Sequence, residues 1–252
     1  MISISTNYGS MFASKAAGAA QKTMNSAMEK LSSGMRINNA KDDAAGQGIA
    51  TRLTAEITSL NMASRNASDA QAMIDTAEAA HQEVHAILLR MREIAVQASN
   101  GTLSGADRTA LDAEVTALET EITSIADNTA FAGIKLGTGL SVAFQIGTAQ
   151  GVTLTHKFAD FDVSAIGANI AVNSVSTATA ALATVDAAIS TVSANRGTLG
   201  ALSNRLSSTI TNLDNVSVNL SSARGRIQDT DFAQETSNLA KSQIMQQAAT
   251  AM

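Results

Sequence analysis

The sequence predicts a mainly α-helical protein: a long antiparallel helical rod, or coiled coil, with a small β-hairpin and paired end helices. Three observations lead there. Small and apolar side chains recur at 3-4 spacing at Leu60, Ala63, Ala67, Ala70, Ile74, Ala77, His81, Val84, Leu88, Met91, Ala95 and Ala98. On a helix such a heptad repeat is a narrow stripe that buries itself only against other long helices. Proline, which breaks helix interiors, is absent from all 252 residues. Aromatics are 3% of the chain although 45% is hydrophobic, so the apolar mass is aliphatic, alanine above all. Alanine-rich seams let helix backbones approach closely, whereas large globular cores draw on aromatics.

The elements follow in order. A first helix is expected over residues 2–35, with Met24, Met28, Leu31 and Met35 on one face, interrupted by Ser32-Ser33-Gly34 and Asn38-Asn39. A second runs over 43–100, about 85 Å at 1.5 Å per residue. Asn100-Gly101, both tolerant of the left-handed conformation, should stop it. A third starts near Ser104, an N-cap with Asp107 three residues on, and carries Leu111, Val115, Leu118, Ile122 and Ile125. Two heptad helices joined by a short loop should form an antiparallel hairpin.

Between residues 133 and 174 the texture changes. Residues 141–146 and 152–158 are β-branched and aromatic with partial alternation, which predicts a β-hairpin over about 141–158. The helical period then resumes at Leu182, Val185, Ile189, Val192, Leu199, Leu202, Leu206, Ile210, Leu213 and Leu220. Arg196, Gly197 and Gly200 should loosen this fourth helix. A break at Arg224-Gly225-Arg226 precedes a last helix capped by Asp231, with its stripe at Ala240, Ile244, Ala248 and Ala251. The two end helices have no local partner except each other. A thin pair still exposes apolar surface, and such surface marks interaction.

Composition excludes several function classes. A net charge of −5 with no large Lys/Arg cluster argues against a nucleic-acid partner. No apolar run approaches the ~18 residues of a membrane span, so no membrane partner is expected. The first residues lack the pattern of a cleaved secretory signal. Without cysteine there is no disulfide, thiolate metal site or cysteine nucleophile.

Candidate sites are few. Glu78, His81 and His85 share a helical stripe, as a divalent metal site would require, but the order of residues is not His-Glu-x-x-His, and His81 sits on the seam. No metal, cofactor or catalytic residue is therefore assigned. Asp42 and Asp43 read as caps of the long helix rather than an acid/base pair. Arg90, Arg92 and Glu93 lie about the outward side of the Val84/Leu88/Met91 stripe.

Several segments resemble bacterial flagellin. LSSGMRINNAKDDAAG at 31–46 with RLTAEI at 52–57 looks like its N-terminal signature. NTAFAGIKL at 128–136 resembles the exit from its second rod helix, with Ala132 where asparagine is common. RGTLG at 196–200, Asn204-Arg205, ARGRIQDTDF at 223–232, Glu235, SNL at 237–239 and QIMQQA at 243–248 resemble its C-terminal half.

The resemblance implies an inner coiled coil of N- and C-terminal helices, formed by residues 1–40 and 225–252. It implies a helical rod over 41–224, and outer variable domains are not expected between 137 and 176. It implies a secreted, non-enzymatic structural subunit of the extracellular flagellar filament, which self-assembles for motility after export through the flagellar secretion system. Met24, Met28, Leu31, Met35, Ala240, Ile244 and Ala248 would form the inner assembly seam. Arg90, Arg92, Glu93, Ile94 and Gln97, with Glu114 beside them, would lie on the face that joins subunits along a protofilament. Toll-like receptor 5 recognises that face in the family; here Leu89 replaces a polar residue common there. Other implied partners are sibling flagellins, the filament cap, hook-associated proteins and the secretion chaperone. Family members continue past the QQA motif, so either the chain is shortened at Met252 or its inner coiled coil lacks the last turns; in the second case weaker polymerisation and chaperone binding are expected. Two other readings stand beside this one: a hook–filament junction-type rod protein, and a metal-binding helical enzyme using His81 and His85.

Overall fold

The computed structural model describes residues 7–251. It is mainly helical, in the order α1 (Tyr8–Ser33), α2 (Ala44–Ala98), α3 (Gly105–Asn128), β1 (Ala130–Phe131), β2 (Ile134–Lys135), β3 (Ser141–Gln145), β4 (Thr153–Lys157), α4 (Val163–Ile166), α5 (Val175–Gln228) and α6 (Phe232–Ala251). Helices α2 and α5 pair, as do α1 and α6, with two small two-stranded sheets between them in sequence. The chain divides into two units, Leu60–Asp214 and Met1–Ser59 with Asn215–Met252. The part of the expected first helix over residues 2–6 and the side chain of Ala251 lie outside the described residues.

Within Leu60–Asp214, the heptad stripe of α2 is buried throughout. Ala67, Ala70, Val84, Leu88, Met91, Ala95 and Ala98 have no exposed surface. One core joins the last turns of α2 to Val115 and Ile122 of α3, Val163 and Ile166 of α4, and Ala178, Val185, Ala188 and Val192 of α5. A second joins Ala67 to Ala77 of α2, Leu199, Leu202 and Leu206 of α5, and Leu154 and Phe158 of the hairpin. Alanine on facing helices lets them approach, and the few large side chains then fill what remains at near-crystalline density.

The hairpin falls where expected: β3 and β4 are antiparallel, with Phe144 opposite Leu154 and Val142 opposite His156. A second, smaller hairpin was not foreseen. Its β1–β2 turn holds Ala132 at φ 49° and Gly133 at φ 83°, since a two-residue turn matching strand twist needs positive φ at both centres. Alanine there costs about 1–2 kcal/mol, which glycine would avoid.

Helix ends depart from expectation in three places. α2 ends at Ala98, but neither Asn100 nor Gly101 is left-handed. The stop is made by Arg108 instead. Its Nε donates to Ala98 O at 3.0 Å and its Nη2 to Asn100 O at 2.8 Å, satisfying carbonyls that the helix leaves open. α5 passes through Arg196–Gly200 without loosening, and Arg196 there pairs with Glu78 of α2 at 2.7 Å. It also passes Gly225 and stops only after Gln228. There Arg36 N–H donates to Gln228 O at 2.7 Å and Thr230 N–H to Gly34 O at 3.0 Å, so the two end turns brace each other.

The capping readings fare better. Ser104 and Asp107 form a reciprocal capping box. Asp43 accepts from Gly46 N–H at 2.9 Å and Asp231 from Ala233 N–H at 2.9 Å. Asp42 turns away to hold the N–H groups of Asn38 and Asn39. The expectation of no span-like apolar segment needs one amendment: α5 contains an 18-residue window of mean hydropathy 1.3, long and apolar enough by composition to cross a membrane. Alanine, valine and isoleucine raise the mean there, while threonine and serine interrupt any unbroken apolar run. Its inner face, from Ala178 to Val192, lies in the first core.

Candidate functional site

Two surfaces and one buried group are the places where chemistry or recognition could reside. The first surface belongs to α1 and α6. Facing inward on α1 are Ala13, Ala17, Ala20, Met24, Ala27 and Leu31; on α6 they are Glu235, Leu239, Ser242, Gln246 and Ala249. Both sets keep the 4-3 spacing of a paired seam. The partnership is polar at its ends: Lys30 Nζ lies 3.2 Å from Glu235 Oε1, and Gln246 donates to Gln21. Sequence periodicity pointed to a different face of α6. Ala240, Ile244 and Ala248 are exposed, Ile244 by 66%, and Met28 of α1 by 53%. The polar contacts and small alanine seam favour Ser242 and Gln246 inward, which turns the aliphatic stripe out. Met24 and Leu31 are half-buried, and Met35 lies beyond α1, bridged to Asp229.

The second surface is built on the last turns of α2. Arg90 reaches α3, its Nε and Nη2 donating to Glu114 Oε1 at 3.0 and 2.8 Å, while its Nη1 meets Glu93 at 3.0 Å. Arg92 reaches α5, donating to Asp186 at 2.6 Å. Hydrogen bonding to Glu114 and then Glu93 holds the Arg90 guanidinium more firmly protonated than usual, and Asp186 does the same for Arg92. Both groups are well exposed, so these pairs orient side chains more than they stabilise the fold. Between them a groove of about 400 Å³ is lined by Leu89, Arg92, Glu93 and Val96. Leu89 is 45% and Val96 49% exposed. Gln97 is exposed nearby, but Ile94 is fully buried and supports the face from beneath. Asp186 escaped sequence reading because its partner lies 94 residues away; its outward position beside Val185 was the available signal.

The Glu78/His81/His85 stripe comes apart. Glu78 is taken by Arg196 through both Nε and Nη2. His81 is buried, its Nδ1 2.8 Å from Ala77 O and its ring 4.6 Å from that of Phe161. With Nδ1 donating, Nε2 carries a lone pair that has no partner. It borders a cavity of about 40 Å³ also lined by His156, Lys157, Asn195 and Thr198. Among the described residues no group of three or more His, Cys, Asp or Glu is placed to hold a metal ion.

Burial holds the His81 pKa below 6.5, with Arg196 adding to the effect and Ala77 O and Glu78 opposing it; burial lowers His156 likewise. Below pH 6.5 the unfolded chain therefore binds protons that the folded chain refuses. Stability is complete above that pH and falls as pH drops toward the lowered native values. Melting followed from pH 7.5 to 5 should show a falling transition temperature. The fall should be shallower in His81→Gln, whose neutral amide does not titrate; parallel slopes would remove His81 from this account. Glu119, whose pKa burial raises, titrates with opposite sign in both proteins and cancels in the comparison.

The comparisons bear on these surfaces. The sequence model described as the bacterial flagellin N-terminal helical region matches residues 4–141, and that of the C-terminal helical region matches 182–252. Flagellin of Halalkalibacterium halodurans is 42% identical over 231 residues, 90% of this chain and 85% of that protein. Polar flagellin C of Vibrio parahaemolyticus is 42% identical over 152 residues, 60% of this chain. The chain spans less than half the length of several such relatives, 40% in that instance. The crystal structure of Bacillus cereus flagellin is similar with a TM-score of 0.54 and 34% identity, over 59% of this chain and 88% of that one. Matched at both ends by family models and over most of its length by a relative, this chain belongs to the bacterial flagellin family.

Proposed function

We propose that the chain is a structural, non-enzymatic subunit of the extracellular flagellar filament, whose ends complete their burial against neighbouring copies. The observation that carries this reading is the outward aliphatic stripe of α6, Ala240, Ile244 and Ala248, with Met28 exposed on α1. A stripe at helical spacing that its own chain leaves uncovered is suited to a helix of another copy, and head-to-tail repetition of one such contact builds a helical polymer. In this reading residues 1–40 and 225–252 act as the inner assembly segment and 41–224 as the rod. The groove between Leu89 and Val96, framed by Arg90, Arg92, Glu93, Gln97 and Glu114, joins copies lengthwise and is the surface offered to Toll-like receptor 5. Sibling flagellins, the filament cap, hook-associated proteins and a secretion chaperone complete the partner set.

The test uses purified full chain added to sheared filament seeds, followed by light scattering and electron microscopy. Elongation of seeds by the parent chain is expected. Ile244→Asp should raise the chain concentration needed for elongation roughly a hundredfold, as loss of a buried aliphatic anchor of about 2–3 kcal/mol implies. Its circular dichroism and melting of the α2/α5 core should stay unchanged. A parent chain that binds seeds but never lengthens them would favour the junction-type reading. Undiminished elongation by Ile244→Asp would remove α6 from the interface.

A further inference from the structure

Asn100 is followed by Gly101, the sole Asn–Gly pair in the sequence. Glycine places no side chain in the way when the next backbone nitrogen attacks an asparagine amide. Four features leave that reaction open here. Both residues are exposed. A Cβ added to Gly101 would meet nothing, and its φ lies outside the left-handed range, so neither packing nor conformation requires glycine. Among the described residues none accepts the Gly101 N–H, and the nucleophile is unengaged. Thr102 N–H donates to Asn100 Oδ1 at 3.1 Å, folding the amide back toward Gly101 and polarising the carbonyl to be attacked.

We propose that Asn100 is a site of spontaneous, irreversible deamidation. The Gly101 nitrogen bonds to Asn100 Cγ, the Cγ–Nδ2 bond breaks, and ammonia departs with the proton from that nitrogen, leaving a succinimide. Water then opens the ring. Attack at Cγ yields aspartate; attack at the main-chain carbonyl yields isoaspartate, with the chain running through the former side-chain carbon. No oxidant or cofactor takes part.

The position makes the change consequential. Arg108, only 9% exposed, holds the carbonyls of Ala98 and Asn100 and so closes the α2–α3 turn. In the isoaspartate product that second carbonyl becomes a free carboxylate and the chain leaves by another carbon. Turn and clamp then cannot both keep their present geometry. Either product also sets a negative charge beyond the C-terminal end of α2, where the helix dipole disfavours it.

The experiment incubates the full chain at mildly alkaline pH in heavy-oxygen water and maps peptides by mass spectrometry, with isoaspartyl methyltransferase as the probe for isoaspartate. Asn100 should take up label roughly tenfold faster than any other asparagine, Asn173 before Ser174 included, because no side chain at Gly101 shields the attacking nitrogen. Gly101→Ala, which the fold accommodates, should slow uptake by a similar factor while its helix content and melting match the parent. Labelling of Asn100 no faster than Asn173, or equally fast in Gly101→Ala, overturns the assignment.

Discussion

Phe161→Ala should lose about 3–5 kcal/mol of folding stability, the usual cost of emptying a fully enclosed aromatic site. Phe161 has no exposed surface, belongs to the core shared by α2, α3, α4 and α5, and packs tilted against buried His81. In a chain with six phenylalanines and no tryptophan, few other side chains can supply that volume. Around it are alanines and valines on long helices that pack against one another, so the void cannot collapse without moving a helix. At about 2–4 °C per kcal/mol for a chain of this size, melting should fall by roughly 10 °C. Calorimetry or circular dichroism measures it. The partly buried Phe144 of the hairpin is the contrast: its alanine variant should lose visibly less. Equal losses at both positions would mean that the full enclosure of Phe161 is not the cause.

Gly137→Ala should be nearly as damaging for the opposite reason. Gly137 is buried against the last turn of α3, where an added Cβ would overlap the carbonyl oxygen of Ala126 and lie 2.8 Å from its carbonyl carbon and Cα. Those are backbone atoms inside a helix, so the methyl is accommodated only by displacing the chain that leads into the hairpin. Overpacking of this kind costs about 1–3 kcal/mol, and a rigid neighbour puts the expected loss at the upper end. Gly197 and Gly200 of α5 provide the control, since a Cβ at either meets nothing within 4 Å. There alanine should stabilise by about 0.4–1 kcal/mol through helix propensity and a less flexible unfolded chain. Urea titration of the three variants separates the outcomes: equal loss in all three would show that close approach at Gly137 is not the cause.

What could be read from residues alone divides along physical lines. The stripes of α2 and α3, their N-capping residues and the place of the hairpin are local patterns, and they were legible because periodicity and turn chemistry act over few residues. The partners of those patterns were not. Arg108 ends α2 from α3, Glu78 pairs with Arg196 of α5, and Asp112 and Glu119 take the N–H groups of Val172 and Ile170 at 2.7 Å. Each joins residues whose approach is decided by packing elsewhere. The side of α6 that meets α1 is set by the same logic. Hydrophobicity favours Ile244 inward, but Lys30, Gln21 and the alanines of α1 suit Glu235, Gln246 and Ser242, and nothing in the spacing of α6 reveals its partner. In the Arg90 surface the arginines were readable, whereas Asp186 and the buried position of Ile94 required the fold.

A fastening made mostly of alanine and polar side chains, with Met24, Leu31 and Leu239 its larger apolar members, hides little hydrocarbon, and what hides little hydrocarbon opens at small cost. The clasp between the chain's two ends is thus a loose one by construction. On heating, the α1/α6 pair should therefore open before the core of Leu60–Asp214 melts.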